Sequence, residues 1–596
     1  MYRFLCNTVR RMERDERGNV FVLFGASIIP LLLIMGGAVD IARYARYKAE
    51  LANAVDAAAL ALAKQHDDYT TAQATTFVTD YVNSFNVADS SFTIPTINVT
   101  TVTNGFHVSA VGSMKTIFLP LGKLTKSGTG LATLDAIITA EVVNSSNRVE
   151  LALVLDNTGS MNCGSTVSSS CTGNWSSPSS SSRIVALKTA ANKLVDILMA
   201  GTSPDPDLVK IAVVPFEGTV NSGYDQNNVP SWLDWADAAS ASWTGVNFGK
   251  RDTGTGAACT FGSNCKYIGH KWLFQKLNAK SSSVKWEGCV MMRAEPYDVL
   301  DTTPTSGTPD TLFTPFFWPD EPDNSTTGSS SPNTKQNASY SSGWWSGTYP
   351  FQNDYLKDKV NFAYNASGAQ KSWEKYFPSG SASNITFQSG APDTSFPFED
   401  GPNYGCPRPI VPLTNVKATV TTALNNMVAY PAMGTFIPTG LAWGWHVLSP
   451  TEPFTQGVGP SSDYYDKTVK AIVLLSDGEN SVTGVSNPNN SIFNAYNYVN
   501  TTSATGDYHL DSSNATTAQT NLNTRTSTLC TNVKAADIRL YTITFGSIPS
   551  SAQTLMSNCA SVVDGQTLYY HAPGNSELED IFEEIGQDLA DIHLSM

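Results

Sequence analysis

A chain of 596 residues is too long for one ordinary domain, which commonly runs about 100–200 residues, so several units are predicted. Hydrophobic residues at 41% support real cores, whereas 43 Gly and 31 Pro imply much loop. A net charge of −15 argues against a nucleic-acid partner, since phosphate binding needs clustered Lys and Arg, and fits an acidic exported surface.

The amino terminus, residues 1–18, carries Arg3, Arg10, Arg11, Arg14 and Arg17. From Asn19 to Val39 no charged residue occurs, a run of about 21 residues that suffices to cross a bilayer as a helix. Arg43, Arg46 and Lys48 follow, but the positive-inside rule still favours a cytoplasmic amino terminus. The run is too long for the apolar core of a signal peptide and lacks a clear A-x-A exit. The Ala- and Leu-rich sequence beyond it has high helix propensity, so residues 19–65 read as one transmembrane and extended helix. Arg17-Gly18, the apolar segment, Val39-Asp40, and then Leu51, Ala54 and Asp56-Ala57-Ala58-Ala59-Leu60 together resemble the amino-terminal segment of TadE/TadG-like proteins of tight-adherence (Flp-type) pilus systems. The resemblance implies a single-pass protein of the bacterial inner membrane, with the bulk of the chain periplasmic or extracytoplasmic.

Residues 66–146 read as a small α+β spacer. A helix is predicted near Ala72–Phe85, and strands near Thr96–Val102, Phe106–Val111 and Leu134–Val143, with turns at Asn104-Gly105 and Gly128-Thr129-Gly130. No chemistry is visible there, and its role is positional.

Residues 147–596 alternate strand and helix. The apolar run Val149–Leu155 predicts a buried strand; Ile184, Leu187, Ala191, Leu194 and Leu198 recur at helical spacing; Val209–Phe216 is the next strand. Helices are predicted over Asn415–Ala429 and Gly440–Leu448, a strand over Lys470–Leu475, a helix near Ala515–Ala536, a strand over Leu540–Phe545 and a last helix over Glu577–Ile592. This order predicts an α/β fold with a doubly wound parallel sheet. Asp156-Asn157-Thr158-Gly159-Ser160 and Ser476-Asp477-Gly478 each follow a strand, and Gly434-Thr435 precedes a helix. Acidic and hydroxyl groups are thereby placed at the carboxyl edge of the sheet, where open α/β folds bind ligands.

These residues resemble the von Willebrand factor A domain with its metal-ion-dependent adhesion site. Matched position by position, Asp156, Thr158 and Ser160 are the D-x-S-x-S element, Thr435 the lone threonine and Asp477 the distal aspartate. Thr158 stands where the family more often has serine, and it keeps the hydroxyl. The resemblance implies a divalent cation, Mg²⁺ first, with Mn²⁺ or Ca²⁺ as alternatives. Mg²⁺ prefers oxygen ligands in near-octahedral geometry and keeps waters where the protein leaves positions open. With two carboxylates at most, the ion stays electrophilic enough to take a carboxylate from a protein partner. No general base stands in the motif, and no G-x-S-x-G, H-E-x-x-H or P-loop frame occurs, so the chain is read as a non-enzyme.

Asp156 and Asp477 are too far apart in sequence for a minimal domain of this type, which places an insertion over 217–412. Nine of the 12 Trp lie between Trp232 and Trp373. Core packing of a poorly hydrophobic insert is the plain reading, and a stacking platform for glycan or peptide the other. Trp443-Gly444-Trp445-His446-Val447-Leu448-Ser449-Pro450 resembles a W-G-W-x-V-L-S-P segment of TadG-like proteins, its aromatics bracing the metal loop. Of nine cysteines, Cys6 precedes the membrane run and eight follow it, an even set that reads as disulfides although eight permit 105 pairings. Proximity favours Cys163 with Cys171, Cys259 with Cys265, Cys289 with Cys406, and Cys530 with Cys559. The whole then reads as a membrane-anchored component of tight-adherence pilus assembly or anchoring, binding an acidic side chain of pilus or envelope machinery. A surface adhesin contacting host or matrix through the metal site and the Trp-rich insert is the alternative.

Overall fold

The computed structural model describes residues 19–65, 69–85, 87–102, 105–120, 131–143, 148–164, 178–200, 207–236, 269–318, 320, 338–342, 345–349, 353, 355–356, 387, 401–430, 433–482, 493–497, 510 and 515–594. The described residues fall into two compact units, one up to residue 143 and one from residue 148 to 593.

In the first unit, helix α1 (Asn19–Gln65) turns Leu51, Ala54, Val55, Ala58, Ala59 and Leu62 inward, the i, i+3, i+4 spacing of one buried stripe. That stripe meets Ala74, Val78 and Val82 of α2 (Thr71–Ser84) and the apolar face of an antiparallel sheet of β1 (Phe92–Val102), β2 (Gly105–Lys115) and β3 (Thr133–Val143). The turns predicted at Asn104-Gly105 and Gly128-Thr129-Gly130 involve positions outside the described residues. Between Asn19 and Leu33 only Phe24, Ser27, Ile28 and Leu31 have described side chains. Among the described residues no helix is long and apolar enough to cross a membrane, so the crossing over 19–39 rests on the sequence.

Asp40, fully buried on α1, closes this unit. Its carboxylate accepts the backbone N–H groups of Ile117 (3.1 Å), Phe118 (2.7 Å) and Leu119 (2.9 Å), with Arg43 at 3.6 Å. Bonds to a charged acceptor are each worth about 1.5–3 kcal/mol. Asp40→Asn, which leaves one acceptor oxygen, is expected to speed amide hydrogen exchange at 117–119 by about ten- to a hundredfold. Unchanged exchange there would show that the carboxylate does not hold the segment.

The second unit is built on a six-stranded sheet: β4 (Arg148–Asp156), β5 (Val209–Phe216), β6 (Val411–Thr414), β7 (Thr468–Ser476), β8 (Ile538–Phe545) and β9 (Tyr569–Ala572), in the order β6-β5-β4-β7-β8-β9. β5, β4, β7, β8 and β9 run parallel, whereas β6 is antiparallel to β5. The sheet is therefore mixed, not wholly parallel as predicted. The reason is local: β6 lies where the chain returns from the insertion, and Val411 pairs Val213 without the crossover helix that a parallel strand would need. The insertion predicted to end at 412 accordingly overlaps this edge strand.

Helices cover both faces. On one side α3 (Arg183–Leu198), α4 (Lys417–Asn426) and α8 (Asn575–Leu594) bury Leu187, Leu194, Leu424, Phe582 and Leu589 against alternate strand residues. On the other, α5 (Ile437–Leu448), α6 (Ala515–Ala535) and α7 (Ser550–Cys559) share a core with the insertion. Trp232, Trp272, Trp286 and Trp318 are buried in that core, packed with Phe274, Phe313, Phe317 and Trp443. These four insert tryptophans pack the interior, as the plain reading expects, while Trp235 is half-buried at its margin. Cys289 joins Cys406 (S–S 1.97 Å), tying positions 117 residues apart, and Cys530 joins Cys559 across α6 and α7. Cys163 is disulfide-bonded, while Cys171, Cys259 and Cys265 lie outside the described residues.

Candidate metal centre

β4 and β7 lie side by side with Leu155 opposite Leu475, so Asp156 and Ser476-Asp477 emerge together at the carboxyl edge. Their apolar residues are buried on both faces, which fixes the register and brings 156 and 477 together despite their separation in sequence.

The Asp156 carboxylate is fully buried. Oδ1 accepts the Thr158 N–H at 2.8 Å, and Oδ2 accepts the Ser476 hydroxyl at 2.7 Å. Thr158 Oγ1 lies 3.0 Å from Ser160 Oγ, which donates to Asp477 Oδ1 at 2.7 Å. Four of the five predicted ligands are therefore joined in one hydrogen-bonded chain. The fifth, Thr435, faces Asp477's neighbour: a β-carbon placed on Gly478 would lie 3.7 Å from Thr435 Oγ1. Ser160 and Gly478 are half-buried, so the cluster opens between them, while Asp156, Thr158, Thr435 and Asp477 lie beneath.

The Thr435 loop is pinned from several sides. Ser481 accepts the Thr435 N–H through its hydroxyl (3.1 Å) and donates its own N–H to the Thr435 carbonyl (2.9 Å). Asn480 Oδ1 accepts the Ile437 N–H at the start of α5, and Glu217 Oε1 accepts the Met433 N–H, both at 2.9 Å. Gly434 sits at φ +98°, where a β-carbon would strike the Ser481 carbonyl at 2.5 Å. Asn157 secures the approach, since its carbonyl accepts the Tyr430 N–H at 2.7 Å and its side chain donates to the Val428 carbonyl at 3.1 Å.

Burial, and next the charge of Asp477, push the Asp156 carboxyl up to about 7. Asp477 has its own counter-ion, Arg183 at 2.7 Å, whereas Asp156 has none among the described residues. An oxygen-only donor set with one uncompensated buried carboxylate fits a hard divalent cation. Among the described residues no three His, Cys, Asp or Glu side chains cluster as an alternative metal site.

Residues 18–64 match the family model described as "Putative Flp pilus-assembly TadE/G-like". No curated protein matches the sequence. Among solved structures, the chain is similar to the PilB minor pilin from Streptococcus sanguinis, at 11% identity and TM-score 0.29, covering 84% of this chain and 79% of that one. It is also similar to the von Willebrand factor domain of the type V pili tip protein Mfa5 from Porphyromonas gingivalis, at 9% identity and TM-score 0.28, covering 75% and 96%. The pilus adhesin SpaC from Lactobacillus rhamnosus GG matches at 10% identity and TM-score 0.27 over 84% of this chain and 35% of that one.

Sequence reasoning placed Ser476 at the sheet edge without giving it a bonding role, and it missed Arg183, Glu217, Asn480 and Ser481. Ser476 and Ser481 carry a signal, hydroxyls within a few residues of Asp477. Arg183 carries none, because an arginine opening an amphipathic helix reads as a solvated residue.

Proposed function

We propose that this chain is a membrane-anchored, extracytoplasmic component of a tight-adherence pilus system that captures an acidic side chain of a protein partner through a divalent cation held by Asp156, Thr158, Ser160, Thr435 and Asp477. The observation that carries this reading is the meeting of two distant aspartates and their hydroxyls at one sheet edge, with the Asp156 carboxylate buried and lacking a counter-ion among the described residues. The TadE/G-like segment over 18–64 supports the pilus assignment.

When bound, the cation supplies an open coordination position for a carboxylate oxygen. The protein's part is placement. β4 and β7 fix the two aspartates, the Asp156–Thr158 bond fixes the loop that presents Ser160, and the Asn480 and Ser481 contacts hold Thr435 against Gly478. Neutral hydroxyls leave much of the ion's charge uncancelled, which favours an anionic partner.

The anchor reading is supported by the uncharged run 19–39 and by the apolar surface α1 leaves open there, with Phe24, Leu31, Ile34 and Met35 each more than half exposed. The full chain in detergent, immobilised and offered solubilised envelope proteins in Mg²⁺ or in chelator, is expected to retain a pilus-system protein in Mg²⁺ only. Equal retention in chelator would refute cation-mediated capture.

A further inference from the structure

Arg183 opens α3, yet its side chain turns into the protein and the residue is only 6% exposed. Its N–H donates to the Cys163 carbonyl at 2.9 Å, fixing it behind the loop that carries Ser160. Nη1 meets Asp477 Oδ2 at 2.7 Å, and the buried Nε has no hydrogen-bond partner among the described residues, so among them Asp477 is the counter-ion that compensates the guanidinium. The space it fills is reserved. Gly546, just past β8 at φ +81°, would place a β-carbon 2.9 Å from Nη2 and 3.0 Å from Cζ and Nε.

The Asp477 carboxylate is thereby divided. Oδ2 belongs to Arg183, and Oδ1 faces Ser160 and the hydroxyl cluster. Counted as formal charges, Asp156, Asp477 and Arg183 sum to −1, so a loaded divalent cation leaves the centre at +1. Without Arg183 the sum is −2, and a loaded centre is neutral.

We propose that Arg183 is a positioning residue that sets the charge of the centre: it holds Asp477 with one oxygen toward the cation and keeps the loaded site net positive, at the cost of some cation affinity, so that an anionic ligand is favoured. This rests on the metal reading above. The expected signature is a pair of opposite effects, because removing a full positive charge a few ångström away strengthens cation binding and weakens anion binding.

The test uses the full chain in detergent, Mn²⁺ as the cation probe and acetate as the carboxylate probe, with bound Mn²⁺ read by electron paramagnetic resonance and displacement of its water by proton relaxation. Arg183→Gln is expected to bind Mn²⁺ on the order of tenfold more tightly while acetate displaces water on the order of tenfold less readily. Arg183→Lys, which keeps the charge, is expected to restore both toward wild type. Gly546→Ala, which crowds the guanidinium away from Asp477, is expected to move both readouts in the glutamine direction by a smaller factor, and it serves if Arg183→Gln does not fold. Weaker or unchanged Mn²⁺ binding in Arg183→Gln, with wild type binding normally, overturns the proposal and leaves the metal reading standing. No Mn²⁺ binding by wild type overturns both.

Discussion

Replacing Asp156 by asparagine is expected to abolish divalent-cation binding to the full chain without unfolding it. The side chain supplies the carboxylate that has no other counter-ion among the described residues, so its loss should exceed the roughly 10–100-fold that partners of a metal ligand contribute. Stability gives an independent reading. Because the folded chain holds the Asp156 proton up to about 7, against an ordinary value of 3.8, it binds more protons than the unfolded chain between those values. Folding therefore loses stability as pH rises through that window in chelator. Asparagine removes the loss by removing the charge, and Mg²⁺ removes it by compensating the charge. Wild type should accordingly gain thermal stability on adding Mg²⁺ near neutral pH, by ligand linkage, and Asp156→Asn should not. A variant still stabilised by Mg²⁺ would mean the ion binds elsewhere.

The parts of this molecule legible in the sequence are those set by apolar periodicity. Val149–Leu155 and Ala471–Leu475, the latter inside the strand predicted over Lys470–Leu475, are buried on both faces as adjacent parallel strands, and that pairing alone carries Asp156 to Asp477. The helix through Leu51 to Leu62 was equally readable from its Ala- and Leu-rich sequence, and the structure adds that these residues turn one face inward. Elements fixed by tertiary context were not readable. β6 is four residues with a proline, Val-Pro-Leu-Thr, and becomes a strand only because the edge of β5 is open beside it. Arg183 is inward because Gly546 vacates room from the far side of the sheet edge, a relation that no local pattern encodes. Asp40 likewise reads as an ordinary helix acid until three amides converge on it from the end of β2.

Trp443→Ala is expected to cost about 3–5 kcal/mol of unfolding free energy, a large share of the roughly 5–15 kcal/mol that holds a typical domain. The indole is fully buried on α5 and meets two rings from the insertion, Phe313 at 4.7 Å and Trp232 at 6.1 Å, together with Phe454 at 6.0 Å. It is thus a main point at which the insertion packs onto the helix that follows Thr435, beside the His446–Asp301 contact at 2.7 Å. Truncation leaves a cavity between them that neither side readily closes, since the Cys289–Cys406 bond ties two parts of the insertion together and the β6 pairing holds its returning end. Denaturant titration should show the loss as a shift in midpoint, with Trp443→Phe recovering part of it. Limited proteolysis should cut the insertion faster in the alanine variant. Because α5 begins two residues beyond Thr435, Mn²⁺ affinity should fall as well, though less than for Asp156→Asn. A cost under about 1 kcal/mol, within the range of a surface substitution, would show that the insertion is held to the domain by other contacts and that the aromatic bridge is incidental.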